Sequence, residues 1–183
     1  MHGTKSFEYI VPRPYRPTAH VTDAMDHFAV VTYYTPDFFP FVAGLRADCE
    51  RWGYRFYAEE ATTNFADLIN AFDYKVAFLQ RAVRELGKVL WLDVECRIVR
   101  PIPTSWRGPL ITAYTIGERR GLSSGVLLLD QQQDSFLSLW QKYAERYPRY
   151  PDDYILDFLT RRIDYPFHQV PLEFFDRSTS SPV

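Results

Sequence analysis

The sequence predicts a single α/β domain built around a largely parallel sheet. Three observations carry that expectation. Short apolar, β-rich runs alternate with stretches of helical periodicity along most of the chain. The run at 88–92 (KVLWL) is apolar almost throughout, as a strand covered on both faces must be. The chain has 183 residues, 46% of them hydrophobic, which makes one domain with enough apolar side chain for a core.

The run 28–34 (FAVVTYY) reads as a buried first strand. Thr35 followed by Pro36 is a helix-start signal, a capping hydroxyl and then proline at the first helical position. Phe38, Phe41, Val42, Leu45, Cys49 and Trp52 then form one helical stripe, and Gly53 supplies the stop. Residues 54–58 (YRFYA) read as a second strand. Residues 59–72 have no clear period. Asp73 is the expected cap of a second helix, with Val76, Leu79, Val83 and Leu86 as its apolar stripe and Gly87 as its end. Strand 88–92 ends at Asp93. Further strands are expected at 109–116 and 122–130, and helices at 134–146 and 152–162. Pro12, Pro14 and Pro17 suggest an extended lead-in over 1–27, and 177–183 reads as a loose polar tail, leaving 28–176 as the domain.

Composition narrows the function classes. A formal net charge of -2 supplies no basic field, so nucleic acid is not indicated as a partner, although a modified nucleic acid stays possible as an acceptor. No apolar run reaches the ~20 residues that a membrane span needs, and residues 1–27 lack the apolar core of a signal peptide. Two cysteines, Cys49 and Cys96, make no disulfide framework, so a reduced, cytoplasmic setting is expected. Walker and dinucleotide glycine loops are missing from the sequence. Ser123 and Ser124 lack a nucleophile-elbow pattern, which argues against serine hydrolase chemistry. No Cys/His set accompanies Cys96, and His20, His27 and His168 are scattered.

Parallel α/β sheets bind ligands beyond the carboxyl ends of their strands. Two features fall there: Thr32 to Thr35 after the first strand, and Asp93-Val94-Glu95 after the third. In extended chain, positions i and i+2 point the same way, roughly 6 to 7 Å apart. Asp93 and Glu95 so placed would share a hard divalent cation, Mg²⁺ or Mn²⁺, which prefers oxygen ligands. The ordinary alternative is a strand end carrying two solvated acids. Likewise Tyr33 and Tyr34 can simply pack, and Lys75 can be a solvated helix residue.

Taken together, Lys75 on its helix, the run KVLWLDVE at 88–95 and IVRPI at 98–102 resemble the core of GT-A glycosyltransferases. The likeness is to the glycogenin-like and lipopolysaccharide-galactosyltransferase-like group. Ser123-Ser124-Gly125-Val126 resembles that group's Asn-Ala-Gly or Asn-Ser-Gly strand, and Asp152-Asp153-Tyr154-Ile155-Leu156-Asp157 its Asp-Gln-Asp helix start. The resemblance implies that Thr32 and Tyr33 hold base and ribose and that Lys75 lies near the nucleotide. It implies Asp93 on ribose or metal, Glu95 as main metal ligand, and Ser124 and Gly125 facing donor sugar or acceptor. Asp152 would bind sugar hydroxyls, and Asp153 would sit by the anomeric carbon. The implied activity is metal-dependent transfer from a nucleotide sugar, a UDP-sugar being the expected donor, with retention of configuration.

Four departures accompany the resemblance. Glu95 replaces the second Asp of the acidic turn, and Asp153 replaces the usual Gln. The group's later His-x-x-Gly-x-Lys-Pro-Trp segment has no counterpart, His168 following too soon. The chain is shorter than typical members. These keep a second expectation alive, a non-catalytic nucleotide-sugar-binding or scaffold protein on the same fold. The residues select no acceptor: saccharide, lipid, protein and modified nucleic acid stay open.

Overall fold

A computed structural model of the chain describes residues 28–61, 68–103, 105–116 and 119–176. The expected lead-in over 1–27 and tail over 177–183 lie outside these residues. Strand β1 (Ala29–Tyr34) leads through a 3-10 turn (Pro36–Phe38) into helix α1 (Phe39–Trp52), followed by β2 (Arg55–Glu60). Helix α2 (Leu68–Leu86) precedes β3 (Val89–Leu92), the short β4 (Arg97–Ile98), β5 (Leu110–Ile116) and β6 (Arg119–Leu129). Helices α3 (Asp134–Arg146) and α4 (Asp152–Arg162) then lead to the two-residue strands β7 (His168–Gln169) and β8 (Phe175–Asp176).

The main sheet has the order β2-β1-β3-β6-β5-β7, and β4 pairs with β8 in a small second sheet. The β1–β2, β1–β3 and β5–β7 pairs are parallel, whereas β6 runs antiparallel to both β3 and β5. The sheet is therefore mixed and mostly parallel. Alternation along its central strands feeds two cores. Ala29, Val31, Val89, Trp91, Leu127 and Leu129 pack with α2, α3 and α4. Phe28, Val30, Leu90, Leu92, Val126 and Leu128 pack with Leu45 and Cys49 of α1. Helices thus cover both faces, and β3 is fully buried as its apolar run requires.

Several expectations need correction. Thr35 has extended backbone at the helix entry, but its side chain makes no capping bond. Its carbonyl accepts from Phe38 N–H at 2.9 Å, so the 3-10 turn satisfies the entry instead. Phe38 consequently leaves the apolar stripe and is exposed, while Val42, Leu45 and Cys49 remain buried. Asp73 does not cap α2: the helix begins at Leu68, because the preceding Leu- and Ala-containing run extends helical structure past it. The expected stops hold. Gly53 and Gly87 take left-handed backbone with φ 74° and 81°. After α1, Gly53 and Tyr54 N–H groups close the last turn onto Glu50 and Cys49 carbonyls.

Candidate functional site

The parallel strands β1 and β3 end on the same edge of the sheet, and α4 opens beside them. Lys75 of α2 stands at the centre of this edge. Its ammonium lies 2.7 Å from Asp152 Oδ2, 2.9 Å from Ser124 Oγ and 3.2 Å from Asp93 Oδ1. Three separate sequence segments therefore meet on one side chain, which is 10% exposed. The ammonium also lies 5.3 Å from the Trp91 ring centroid. Burial opposes the charge on Lys75, but Asp93 and Asp152 outweigh it and hold its pKa well above the ordinary lysine value.

Asp93 accepts a second bond on Oδ1, from Trp91 Nε1 at 3.2 Å. Positions 91 and 93 share a face by strand alternation, a signal present in the sequence that motif reading passes over. Beyond β3 the chain does not stay extended. Cys96 N–H donates to the Asp93 carbonyl at 2.8 Å and closes a turn, which corrects the extended-chain geometry expected for Asp93 and Glu95. Val94 and Cys96 are buried within that turn, while Asp93 and Glu95 keep partial exposure. The pair thus retains access to solvent through a turn rather than a pleat. Among the described residues no group of three or more His, Cys, Asp or Glu side chains gathers as a metal site. Two partly exposed carboxylates are nonetheless oxygen donors of the kind a hard divalent cation prefers.

Ser124 reaches Lys75 because β6 is irregular. Ile111 pairs with Leu127, but the next β5 residue, Thr112, pairs with Ser123, so 124–126 bulge out of the β5 ladder. Leu122 and Leu127 consequently both lie on the α2 side, although an odd separation would set them on opposite faces. Ser123 Oγ accepts from Gly125 N–H at 3.3 Å, and the Gly125 carbonyl accepts from Asp93 N–H at 2.9 Å. The bulge is thereby tied to the acidic turn, and Ser124 is aimed at Lys75.

Pro151 precedes α4, whose first residues are Asp152 and Asp153. Ser124 Oγ–H donates to Asp152 Oδ2 at 2.5 Å, and Ser124 N–H donates to Asp153 Oδ1 at 2.5 Å. Burial works against the charge of Asp152, but the Lys75 ammonium, with bonds from Lys75, Ser124 and Asp153 N–H, holds its carboxyl below the usual range. For Asp153, burial and the neighbouring Asp152 charge push the carboxyl up against the pull of Ser124 and Lys75. The two acids are driven apart in protonation, the pattern of acid and base pairs in active sites.

At the end of β1, Thr32 is fully buried, and its hydroxyl donates to the Tyr33 carbonyl at 3.3 Å. Tyr33 packs against Tyr74, Phe78 and Trp91, with ring centroids 4.9, 5.8 and 5.2 Å away. Burial pushes its pKa up to about 12; Lys75 pulls against this while Asp152, Asp93 and Glu95 add to it. Tyr33 is therefore coupled to the acidic edge, whereas Thr32 turns its side chain away from solvent. Beside them Tyr74 OH donates to Glu59, which also accepts two bonds from Arg81 at 2.8 and 2.6 Å. His168 lies on the edge strand β7 and is exposed, and no contact joins it to this cluster among the described bonds.

The chain thus folds as a mixed, mostly parallel sheet covered by helices on both faces. Solved structures share it. A glycosyltransferase involved in the glycosylation of the major capsid of PBCV-1 matches with a TM-score of 0.61 and 14% identity, over 80% of this chain and 83% of that one. The apo form of the glycosyltransferase GlyE of Streptococcus pneumoniae TIGR4 matches with a TM-score of 0.55 and 14% identity. This chain covers 46% of GlyE, somewhat under half its length. No protein-family model and no curated protein sequence matches the chain significantly. Among the described residues no helix is long and apolar enough to cross a membrane.

Proposed function

We propose that the protein is a metal-dependent glycosyltransferase of the glycogenin-like or lipopolysaccharide-galactosyltransferase-like kind, transferring a sugar from a UDP-sugar with retention of configuration. The observation that carries this reading is the convergence of Asp93, Ser124 and Asp152 on the buried Lys75, inside a glycosyltransferase-type fold. Tyr33 and Thr32 shape the base and ribose end of the pocket, the former by its ring and the latter from beneath. Asp93 and Glu95 hold the divalent cation, Mg²⁺ or Mn²⁺, which when bound supplies stabilisation of charge on the departing diphosphate. Lys75 adds a fixed positive charge on the same edge, in surroundings where burial strengthens it. Asp153 stands next to the reacting carbon, where its carboxylate stabilises positive charge developing on the sugar ring or attacks it. Asp152 and Gly125 border the donor sugar. A reduced, cytoplasmic setting agrees with two free, buried cysteines.

Calorimetry with UDP, with and without Mn²⁺, tests the reading. Wild type binds UDP in a Mn²⁺-dependent way, and D93N and E95Q lose that dependence while remaining folded by circular dichroism. Undiminished Mn²⁺-dependent binding in both variants defeats the metal assignment. The scaffold reading draws on one observation, that Lys75 and Ser124 are already bonded within the protein. Slow UDP-sugar hydrolysis without acceptor separates the two, since only the enzyme shows it.

A further inference from the structure

The bulge in β6 does more than bring a serine to the sheet edge. The Ser124 side chain is 1% exposed. A serine hydroxyl carries one donor and two acceptor positions. Here the donor goes to Asp152 Oδ2 at 2.5 Å, and the oxygen accepts from Lys75 Nζ at 2.9 Å. The same residue's N–H donates to Asp153 Oδ1 at 2.5 Å. In a regular ladder that N–H faces a neighbouring strand, but the register break after Thr112–Ser123 frees it from β5. One residue therefore grips two consecutive acids by two different groups. We infer that Ser124 is a positioning residue, holding Asp152 by its hydroxyl and Asp153 by its backbone N–H, and acting on the sugar only through them.

This inference rests on the transferase reading for its catalytic consequence, though not for its structural content. The resemblance to known enzymes assigns this strand position to donor sugar or acceptor. The geometry instead encloses its hydroxyl between Lys75 and Asp152. Its consequence is a division of labour. Asp152, held by Lys75 and Ser124, is kept ionised and immobile, with Asp153 N–H and the buried Tyr33 as further neighbours. Asp153, held on one oxygen at the bulge, is the acid left half-exposed at the edge. The bulge fixes the separation of the two acids without either using a solvent-facing bond.

The test compares wild type, S124A and S124T in two measurements. The first is acceptor-free hydrolysis of UDP-glucose and UDP-galactose with Mn²⁺. The second is titration of the Asp152 and Asp153 side-chain carboxyls by ¹³C NMR. S124A is expected to lower kcat about tenfold while leaving KM and UDP affinity within about twofold, because it touches neither. In the titration its Asp152 carboxyl moves up toward the ordinary value, narrowing the gap to Asp153, and S124T restores both readouts. A rise in KM at unchanged kcat means that Ser124 touches the sugar and overturns the inference. Unaltered carboxyl titrations in S124A overturn it as well. If wild type hydrolyses neither donor, the transferase reading fails on its own, and the titration still decides whether Ser124 holds the acids. Should S124A not fold, S124C, which is slightly larger than serine and loses the strong donor, is read by the same criteria.

Discussion

Lys75 illustrates what one residue does here. A buried ammonium is tolerable only with counter-charges, and it has Asp93 at 3.2 Å and Asp152 at 2.7 Å. K75M leaves both carboxylates without their cation and is expected to destabilise the protein by about 3 kcal/mol. In K75M/D152N the loss is partly recovered, because one uncompensated charge is gone; urea unfolding of the double-variant cycle measures this. Asp152 and Asp153 shift in opposite directions, so their pH signatures differ in sign. The folded-state pKa of Asp152 is depressed, so its stabilisation is present above the ordinary carboxylate pKa and lost as pH falls through the folded value. That of Asp153 is raised, so the folded state loses stability as pH climbs from the ordinary value through the folded one. D153N is therefore expected to gain stability relative to wild type across that climb and D152N to lose it, as urea midpoints between pH 3 and 7 will report.

Among the elements, α1 and β4 depend on a junction that the sequence does not advertise. Asp48 is 1% exposed and accepts from Arg97 Nε at 2.6 Å, Arg97 Nη2 at 2.8 Å and Ile98 N–H at 3.0 Å. It thereby fastens the helix to the strand that pairs with β8. D48A leaves a buried amide unsatisfied and is expected to cost about 2 kcal/mol in chemical unfolding. The loop into β5 is similarly constrained. A Cβ on Gly108 would stand 2.8 Å from the Leu128 carbonyl, so G108A must displace β6 backbone. Its expected cost is about 1 to 3 kcal/mol. Gly53 presents the opposite case, since nothing lies within 4 Å of an added Cβ and only its φ of 74° resists substitution. G53A is expected to lose about 1 kcal/mol through backbone conformation alone.

At the scale of the whole molecule, β1, the turn after β3, the β6 bulge and the start of α4 meet at one sheet edge. A ligand held there would join segments far apart in sequence. Addition of UDP and Mn²⁺ is expected to slow hydrogen exchange at Asp93–Cys96 and at the N-terminus of α4 together. Protection confined to one of them would show that the edge does not respond as a unit. The two cores lie on opposite faces of the sheet, so a change at the Asp48–Arg97 junction is expected to leave the Lys75 side largely undisturbed.

Local chemistry determined much of this protein. The apolar run before Asp93 specified β3, the left-handed glycines specified the ends of α1 and α2, and 3.6-residue periodicity specified the stripes of α1 and α2. Those features depend on neighbours within a few residues, so a linear reading reaches them. It also singled out Lys75, Asp93, Ser124 and Asp152, although only as members of a motif. The tertiary structure alone decided that these four touch, that β6 runs antiparallel to β3, and that Asp93 and Glu95 sit on a turn. Strand direction and register depend on contacts between distant segments, and a bulge shifts every later side chain by a face. The aim of Ser124 at Lys75 follows from such a shift, and no spacing within the sequence records it.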